Sequence, residues 1–292
     1  MRAAILLRPT PNYRSDVFAE GLRRHGYQTS NRWERTPGPD DLLVLWNRNR
    51  AFGPIADIYE RHGARVIVAE NGYLDRADDG AKFYAVALSG HNGAGRWFVG
   101  DEPRFTVRDE PWRTEGRKVL ILPQRGIGSP GVAMATGWPK GIVQRLRAIT
   151  DRELIMRPHP GHQRVDKPID FKDLWCVVTW GSGGGIKAIR AGVPVFHELS
   201  CWIGAPGAAM LANDLEHCHT PDRRLVWTHV TWAQWKLEEI GSGEAFDRLL
   251  NEDHRRLFCT PSSPLAAYWP RDGAGHRETG WQLQPQVLAR AS

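Results

Sequence analysis

Short apolar runs alternate with helix-length segments from one end of the chain to the other, and this rhythm constrains the fold more than any other feature. The runs are Ala3–Leu7, Leu42–Trp46, Val66–Ala69, Val119–Pro123, Glu153–Met156, Cys176–Thr179 and Val193–Phe196. Most are continuously apolar, the pattern of strands covered on both faces of a parallel sheet. Between them the periodicity predicts helices over Asp16–His25, Pro54–Arg61, Trp138–Ile149 and Ile186–Ala191. Strands and helices in strict alternation argue for an α/β architecture.

The rhythm breaks once. Gly100–Arg117, GDEPRFTVRDEPWRTEGR, is polar, carries two prolines and has no helical period. We read two Rossmann-like parallel-sheet halves facing across a cleft, residues 1–112 and 115–255, with residues 256–292 as a tail packing back on the first. No apolar run reaches the ~18 residues that cross a bilayer, and the N-terminal run is too short for a signal peptide. The expectation is a cytoplasmic protein (the host's cytoplasm if the chain is viral) with no membrane partner. The four cysteines include no CxxC, so they read as buried thiols and not as a zinc ribbon or disulfide frame. His217-Cys218-His219 holds metal-ligating atoms, but adjacent side chains diverge, and no metal site is expected.

One stretch invites chemistry: TWGSGGGIKAIRAGVPVFHE, Thr179 to Glu198. A strand ends, a turn nearly devoid of side chains follows, and a helix starts at once. Ligands of open α/β sheets bind beyond the carboxyl ends of strands. Glycines let a backbone approach a ligand, and helix N-termini favour anions. Ser182, Gly183, Gly184 and Lys187 therefore suit a phosphate, and Glu198, ending the next strand, suits ribose hydroxyls. The same glycines equally suit close packing of a tight turn. A P-loop is excluded, because Lys187 lies between Ile186 and Ala188, and a nucleophile elbow fails at Trp180. Gly183-x-Gly185-x-x-Ala188 fits a dinucleotide fingerprint loosely, so an NAD-dependent oxidoreductase stays open.

Two further turns share this character. RPHPG brings Arg157 and His159 to the end of a strand, and PQRGIGS brings Arg125 and Gly126 to another. Cationic side chains beside bare amides suit a diphosphate.

In the order RPHP, glycine–serine turn, helix, AGVPVFHE, the chain resembles the donor half of GT-B glycosyltransferases, capsule-type transferases among them. The resemblance covers roughly residues 117–200. It implies a nucleotide-sugar co-substrate, a UDP-sugar first, with no permanently bound cofactor. Arg125, Gly126, Arg157, His159, Ser182, Gly183, Gly184 and Lys187 would hold the diphosphate, and Glu198 the ribose. There is no D-x-D pair, which agrees with a metal-independent enzyme whose leaving group is met by amides and cations.

In the first half, VIVAENGYL sets Glu70 and Asn71 just past a strand, and ALSGHNGAG adds His91 and Asn92 in a glycine-rich turn. Glu70, then His91, are the candidate bases for an acceptor hydroxyl. LWNRNR supplies Asn47, Arg48 and Arg50, which would meet phosphates of a DNA acceptor. VLWNR, ENGYL and GHNGAG, with WAQWKLEEIGSG later, are similar to segments of phage-encoded transferases that glycosylate hydroxymethylated pyrimidines in DNA. That likeness implies double-stranded DNA as a partner. A net charge of +6 and thirteen tryptophans suit a polyanion with stacking bases, although WAQWKLEEI has core-like spacing. A transferase of cell-surface polysaccharide is the alternative.

Overall fold

The structure, a computed structural model, describes residues 1–159, 168–251 and 257–259. The first half runs β1 (Arg2–Leu6), α1 (Ser15–Arg24), β2 (Gln28–Ser30), β3 (Leu42–Trp46), α2 (Gly53–Arg61), β4 (Arg65–Arg76), β5 (Lys82–Leu88) and β6 (Arg96–Phe98). The second runs β7 (Lys118–Leu122), α3 (Trp138–Arg147), β8 (Glu153–Met156), β9 (Leu174–Thr179), α4 (Gly183–Arg190), β10 (Val195–His197) and β11 (Ala209–Met210). The chain ends its described course with α5 (Arg224–Trp232), β12 (Gln234–Lys236), α6 (Leu237–Gly241), α7 (Glu244–Phe246) and β13 (Leu257–Cys259).

Both halves are Rossmann-like, with parallel strands and flanking helices, and together they have a mixed α/β architecture. The second sheet is parallel throughout, in the order β11-β10-β9-β7-β8. Its strands are apolar because both faces are covered. Val119 and Ile121 of β7 pack with Ile142 and Leu146 of α3, while Leu120 and Leu122 pack towards Ile186 and Ile189 of α4. Period-two alternation thus feeds two layers from one strand. In the first sheet β2, β1, β3 and β4 are parallel. Leu43 and Leu45 of β3 meet Ala56 and Tyr59 of α2, and Leu42 and Val44 look the other way.

Three departures from the sequence reading matter for function. First, β4 does not stop at Ala69. It continues to Arg76 because antiparallel β5 supplies hydrogen-bond partners for its polar continuation, with a bulge between Asn71 and Arg76. Glu70, Asn71 and Gly72 therefore lie within a strand and not beyond one. Second, the chain leaves the second sheet before residue 255. Gln234–Lys236 pairs with β5 of the first sheet, and Ile240 and Phe246 pack on α1 so tightly that a Cβ at Gly21 would meet Ile240 O at 2.0 Å. Of the tail, Leu257–Cys259 pairs with β6; residues 252–256 and 260–292 lie outside the described residues. Third, the halves share one core. A continuous cluster of buried side chains runs from Phe18 and Tyr84 to Ile186 and Trp202.

Candidate functional site

Parallel strands deliver their carboxyl ends to one edge, and in the second sheet that edge collects the three turns that the sequence assigned to a donor. β9, β7 and β8 are adjacent, so Trp180–Gly185, Pro123–Ser129 and Arg157–His159 emerge side by side. Hydrogen bonds stitch them together. Gln124 Nε2 donates to Gly181 O at 2.6 Å, Thr179 Oγ1 to Leu122 O at 2.8 Å, and Arg157 N to Ile121 O at 3.0 Å. Arg125, Gly126 and His159 are exposed along this rim. Gly126 has φ +66°, a backbone that favours glycine.

The glycines of the central turn divide their labour. A Cβ on Gly185 would meet the ring of Trp202 at 2.8 Å, one on Gly181 would meet Leu199 at 2.8 Å, and one on Gly184 would meet Leu122 at 2.9 Å. Those three are bare so that the turn can pack. Gly183 has nothing within 4 Å of its Cβ direction. Ser182 is the N-cap of α4, its Oγ accepting from Gly184 N at 3.1 Å, while Gly185 N donates to Ser182 O at 2.9 Å. Among the described residues, Gly183 N–H meets no acceptor. One open amide at a helix start, flanked by a hydroxyl, is what an anion needs there.

Two predicted donor residues are already engaged. Glu198 follows β10, and its carboxylate accepts from Trp138 Nε1 and from the Arg145 guanidinium, both on α3. Lys187 lies 2.7 Å from Asp75 at the far end of β4, so its charge bridges the two halves.

On the first half, Asn92 has φ +56° and is buried. Its Nδ2 donates to Gly181 O at 2.6 Å and its backbone N to the Tyr73 hydroxyl at 3.1 Å. One of its two side-chain N–H groups is thus taken up by the Gly181 turn. Neighbouring Gly93 packs where a Cβ would meet Cys201 O at 1.9 Å. Glu70 is half-buried, and its charge acts on Tyr73, whose hydroxyl is held well above its ordinary range, first by burial and then by that carboxylate. His91 is buried in the same loop. Glu70, Tyr73, His91, Asn92 and the Gly181–Gly183 turn therefore gather at one seam.

The basic turn after β3 is a correction. Arg48 does not face outward; it is 7% exposed. Its guanidinium donates to Glu60, to Asp57 and to Ser89 O, and it clamps α2 to the β5–β6 turn. Buried, paired guanidinium is unavailable to DNA phosphates. Asn47 takes φ +60°, and its buried side-chain oxygen has no partner among the described residues; Arg50 and Asn71 are exposed. Among the described tryptophans, Trp97, Trp138, Trp202, Trp227 and Trp235 are buried and the other six are half-buried.

No protein-family model matches the sequence, and no curated protein matches it. Among solved structures, the Thermosulfurimonas dismutans KpsC β-Kdo 2,7 transferase is similar over 84% of this chain and 98% of its own, with 12% identity and a TM-score of 0.47. The Thermosulfurimonas dismutans KpsC β-Kdo 2,4 transferase is similar over 80% and 91%, with 11% identity and a TM-score of 0.43.

Several participants escaped the sequence reading. Tyr73 reads as a core aromatic, Gln124 as a loop amide, and Trp138 and Arg145 as ordinary residues of an amphipathic helix. Their roles depend on contacts made across 57 and 60 positions for Gln124–Gly181 and Trp138–Glu198, and no local motif carries those. Among the described residues no cluster of three His, Cys, Asp or Glu side chains could hold a metal ion, and no helix is long and apolar enough to cross a membrane. His217 Nδ1 pairs with Asp214, which raises its pKa.

Proposed function

We propose that the protein is a glycosyltransferase that moves a sugar from a nucleotide-sugar, a UDP-sugar first, to an acceptor hydroxyl. The observation that carries this reading is the convergence of the glycine turn Trp180–Gly185 with the cation-bearing turns Pro123–Ser129 and Arg157–His159 on one rim, with Gly183 N–H open among them. As the bond between the anomeric carbon and the phosphate oxygen breaks, negative charge grows on the departing diphosphate. Fixed amides and cations oriented in advance stabilise such charge. Gly183, with Ser182 Oγ, would take one phosphate, and Arg125, Arg157 and His159 the other; this donor set does not call for a divalent ion. Glu70, across the seam, takes the acceptor proton as the new bond forms. His91 is the second candidate.

For the acceptor we favour a saccharide hydroxyl over a hydroxymethylated pyrimidine in DNA. Arg48 is spent inside the first half, and five of the eleven described tryptophans are buried and none is fully exposed. Two of the features that favoured DNA are thereby weakened.

The test is mass spectrometry of two acceptor pools, hydroxymethylated DNA and a mixture of oligosaccharides, each incubated with the protein and mixed nucleotide-sugars. A gain of one sugar mass on a saccharide is expected. A gain on the nucleoside would restore the DNA reading. Tight NADH binding with no transfer to either pool would point to an oxidoreductase and overturn the proposal.

A further inference from the structure

Glu198 stands where a ribose would be read, yet its carboxylate is not a loose surface group. Trp138 Nε1 donates to one oxygen and the Arg145 guanidinium to the other. Both donors come from α3, one from its first turn and one from its last. The helix is anchored in turn by Ile142 and Leu146 against β7 and β9. The Trp138 ring is 8% exposed and lies edge-on to Trp180 at 6.4 Å between centroids. Trp180 is itself fixed by its Nε1 donating to Val132 O at 2.8 Å. The Glu198 backbone N donates to Thr179 O at 3.2 Å. Main chain and side chain of Glu198 are thus held from separate directions, and only 16% of the side chain stays exposed.

We propose that Arg145 and Trp138 are positioning residues that fix the Glu198 carboxylate, and that this fixed carboxylate makes the site select ribonucleotides over deoxyribonucleotides. The inference rests on the nucleotide-sugar reading above. The physical reasoning concerns the oxygen lone pairs. An ionised carboxylate has about four acceptor directions, and Trp138 and Arg145 take one on each oxygen. The rest are left for a ligand at the carboxyl edge of the sheet, where Glu198 follows β10 beside the turn after β9. Two vicinal ribose hydroxyls need two acceptor directions at fixed separation, which a freely rotating glutamate does not hold. Neither α3 residue touches the nucleotide in this scheme. They act through Glu198.

The test is binding, which needs no acceptor. Dissociation constants are measured for UDP, ADP, GDP and CDP and for their 2′-deoxy and 3′-deoxy forms. The proteins are the wild type, R145A, R145K, W138F and E198A, each checked for a wild-type unfolding midpoint. W138F keeps an aromatic ring but loses the N–H together with the pyrrole part of the indole, so with its unfolding midpoint checked it serves as the second variant if R145A folds poorly. In the wild type we expect the ribonucleotide to bind roughly tenfold tighter or more, the worth of a hydrogen bond to a charged group. E198A should abolish that ratio. R145A and W138F should shrink it several-fold while binding of the deoxy forms stays as in the wild type, and R145K should recover part of it. An unchanged ratio in both R145A and W138F, with E198A abolishing it, would show that α3 only packs against Glu198 and would overturn the inference. If the wild type binds UDP without discriminating deoxy forms, Glu198 does not read ribose and the inference falls with that assignment. If no nucleotide binds at all, the donor reading itself is what has failed.

Discussion

Asn92 and Gly181 belong to different halves of the molecule, and a hydrogen bond of 2.6 Å from Asn92 Nδ2 to Gly181 O joins them. The same carbonyl accepts from Gln124. A single peptide oxygen therefore ties the acceptor-side loop to two donor-side turns, with Tyr73 and Glu70 one bond and one charge further on. Removing the Asn92 amide should loosen the seam more than it unfolds the protein, because Gly181 O keeps its second donor. We expect Asn92→Gly, which suits the φ of +56°, to cost about 1 kcal/mol in denaturant unfolding. Sugar transfer should fall about tenfold or more, since misplacing a base by an ångström is expensive. Unchanged transfer with lowered stability would reduce Asn92 to a structural tie.

The glycine turn offers a paired experiment. Gly183→Ala meets open space and gains helix propensity, so stability should hold or rise by up to ~1 kcal/mol. Its new methyl stands beside the open Gly183 amide, and nucleotide binding should weaken. Gly185→Ala drives a methyl into the Trp202 ring at 2.8 Å and should destabilise by roughly 1–3 kcal/mol. Calorimetry and nucleotide titration on both variants separate the two roles. Equal nucleotide affinity for the wild type and Gly183→Ala would remove the turn from the donor site.

These two experiments also mark how far the letters reach. A continuous apolar run identified Leu42–Trp46 with its observed bounds because β3 is buried on both faces, and Glu153–Met156 was also read with its observed bounds although β8 is a half-buried edge strand. That the three turns share one edge was legible too: once the strands are parallel, their turns must lie together. The acceptor side was not. Glu70–Arg76 lacks any apolar run and becomes strand only because β5 pairs with it. WAQWK has helical spacing, yet Gln234–Lys236 forms an edge ladder with β5, a tertiary preference overriding a local one. Arg48 looked like surface since its partners Glu60, Asp57 and Ser89 O come together only in the fold.

Arg48 gives a prediction that separates stability from nucleic-acid binding. Truncation leaves Glu60, Asp57 and Ser89 O without their shared donor. Breaking a buried pair typically costs 3–5 kcal/mol, but Asp57 and Glu60 are partly exposed. We therefore expect Arg48→Ala to lose roughly 2–4 kcal/mol, read from urea midpoints. Retention on a DNA column should not change with Arg48→Lys, which keeps the charge. A steep loss of retention in a folded Arg48→Lys protein would reinstate this turn as a DNA contact.

Acid should weaken the fold through two buried imidazoles. His197 is held to about 4 by burial, against the opposing contact of its Nδ1 with Leu199 O at 3.0 Å, and His229 is held to about 4 by burial alone. His197 ends β10 with its ring 5.3 Å from Trp202, the residue that packs the glycine turn. His229 sits on α5 against Trp97. Both stay neutral in the folded state while the unfolded chain, with the ordinary value of 6.5, takes up protons. Between those values the unfolded state binds more protons, so stability must fall as pH drops from about 6.5 towards 4 and be insensitive to these groups above 7. A lowering from 6.5 to about 4 corresponds to at most roughly 3–4 kcal/mol for each histidine over that window. His197→Gln removes the titration and keeps an N–H donor for Leu199 O. Its guanidinium midpoints at pH 7.5, 6 and 5 should therefore decline more gently than those of the wild type, and the double variant with His229→Gln more gently still. If wild type and His197→Gln lose stability in parallel across that range, the imidazole beside Trp202 does not govern the acid sensitivity of the donor turn.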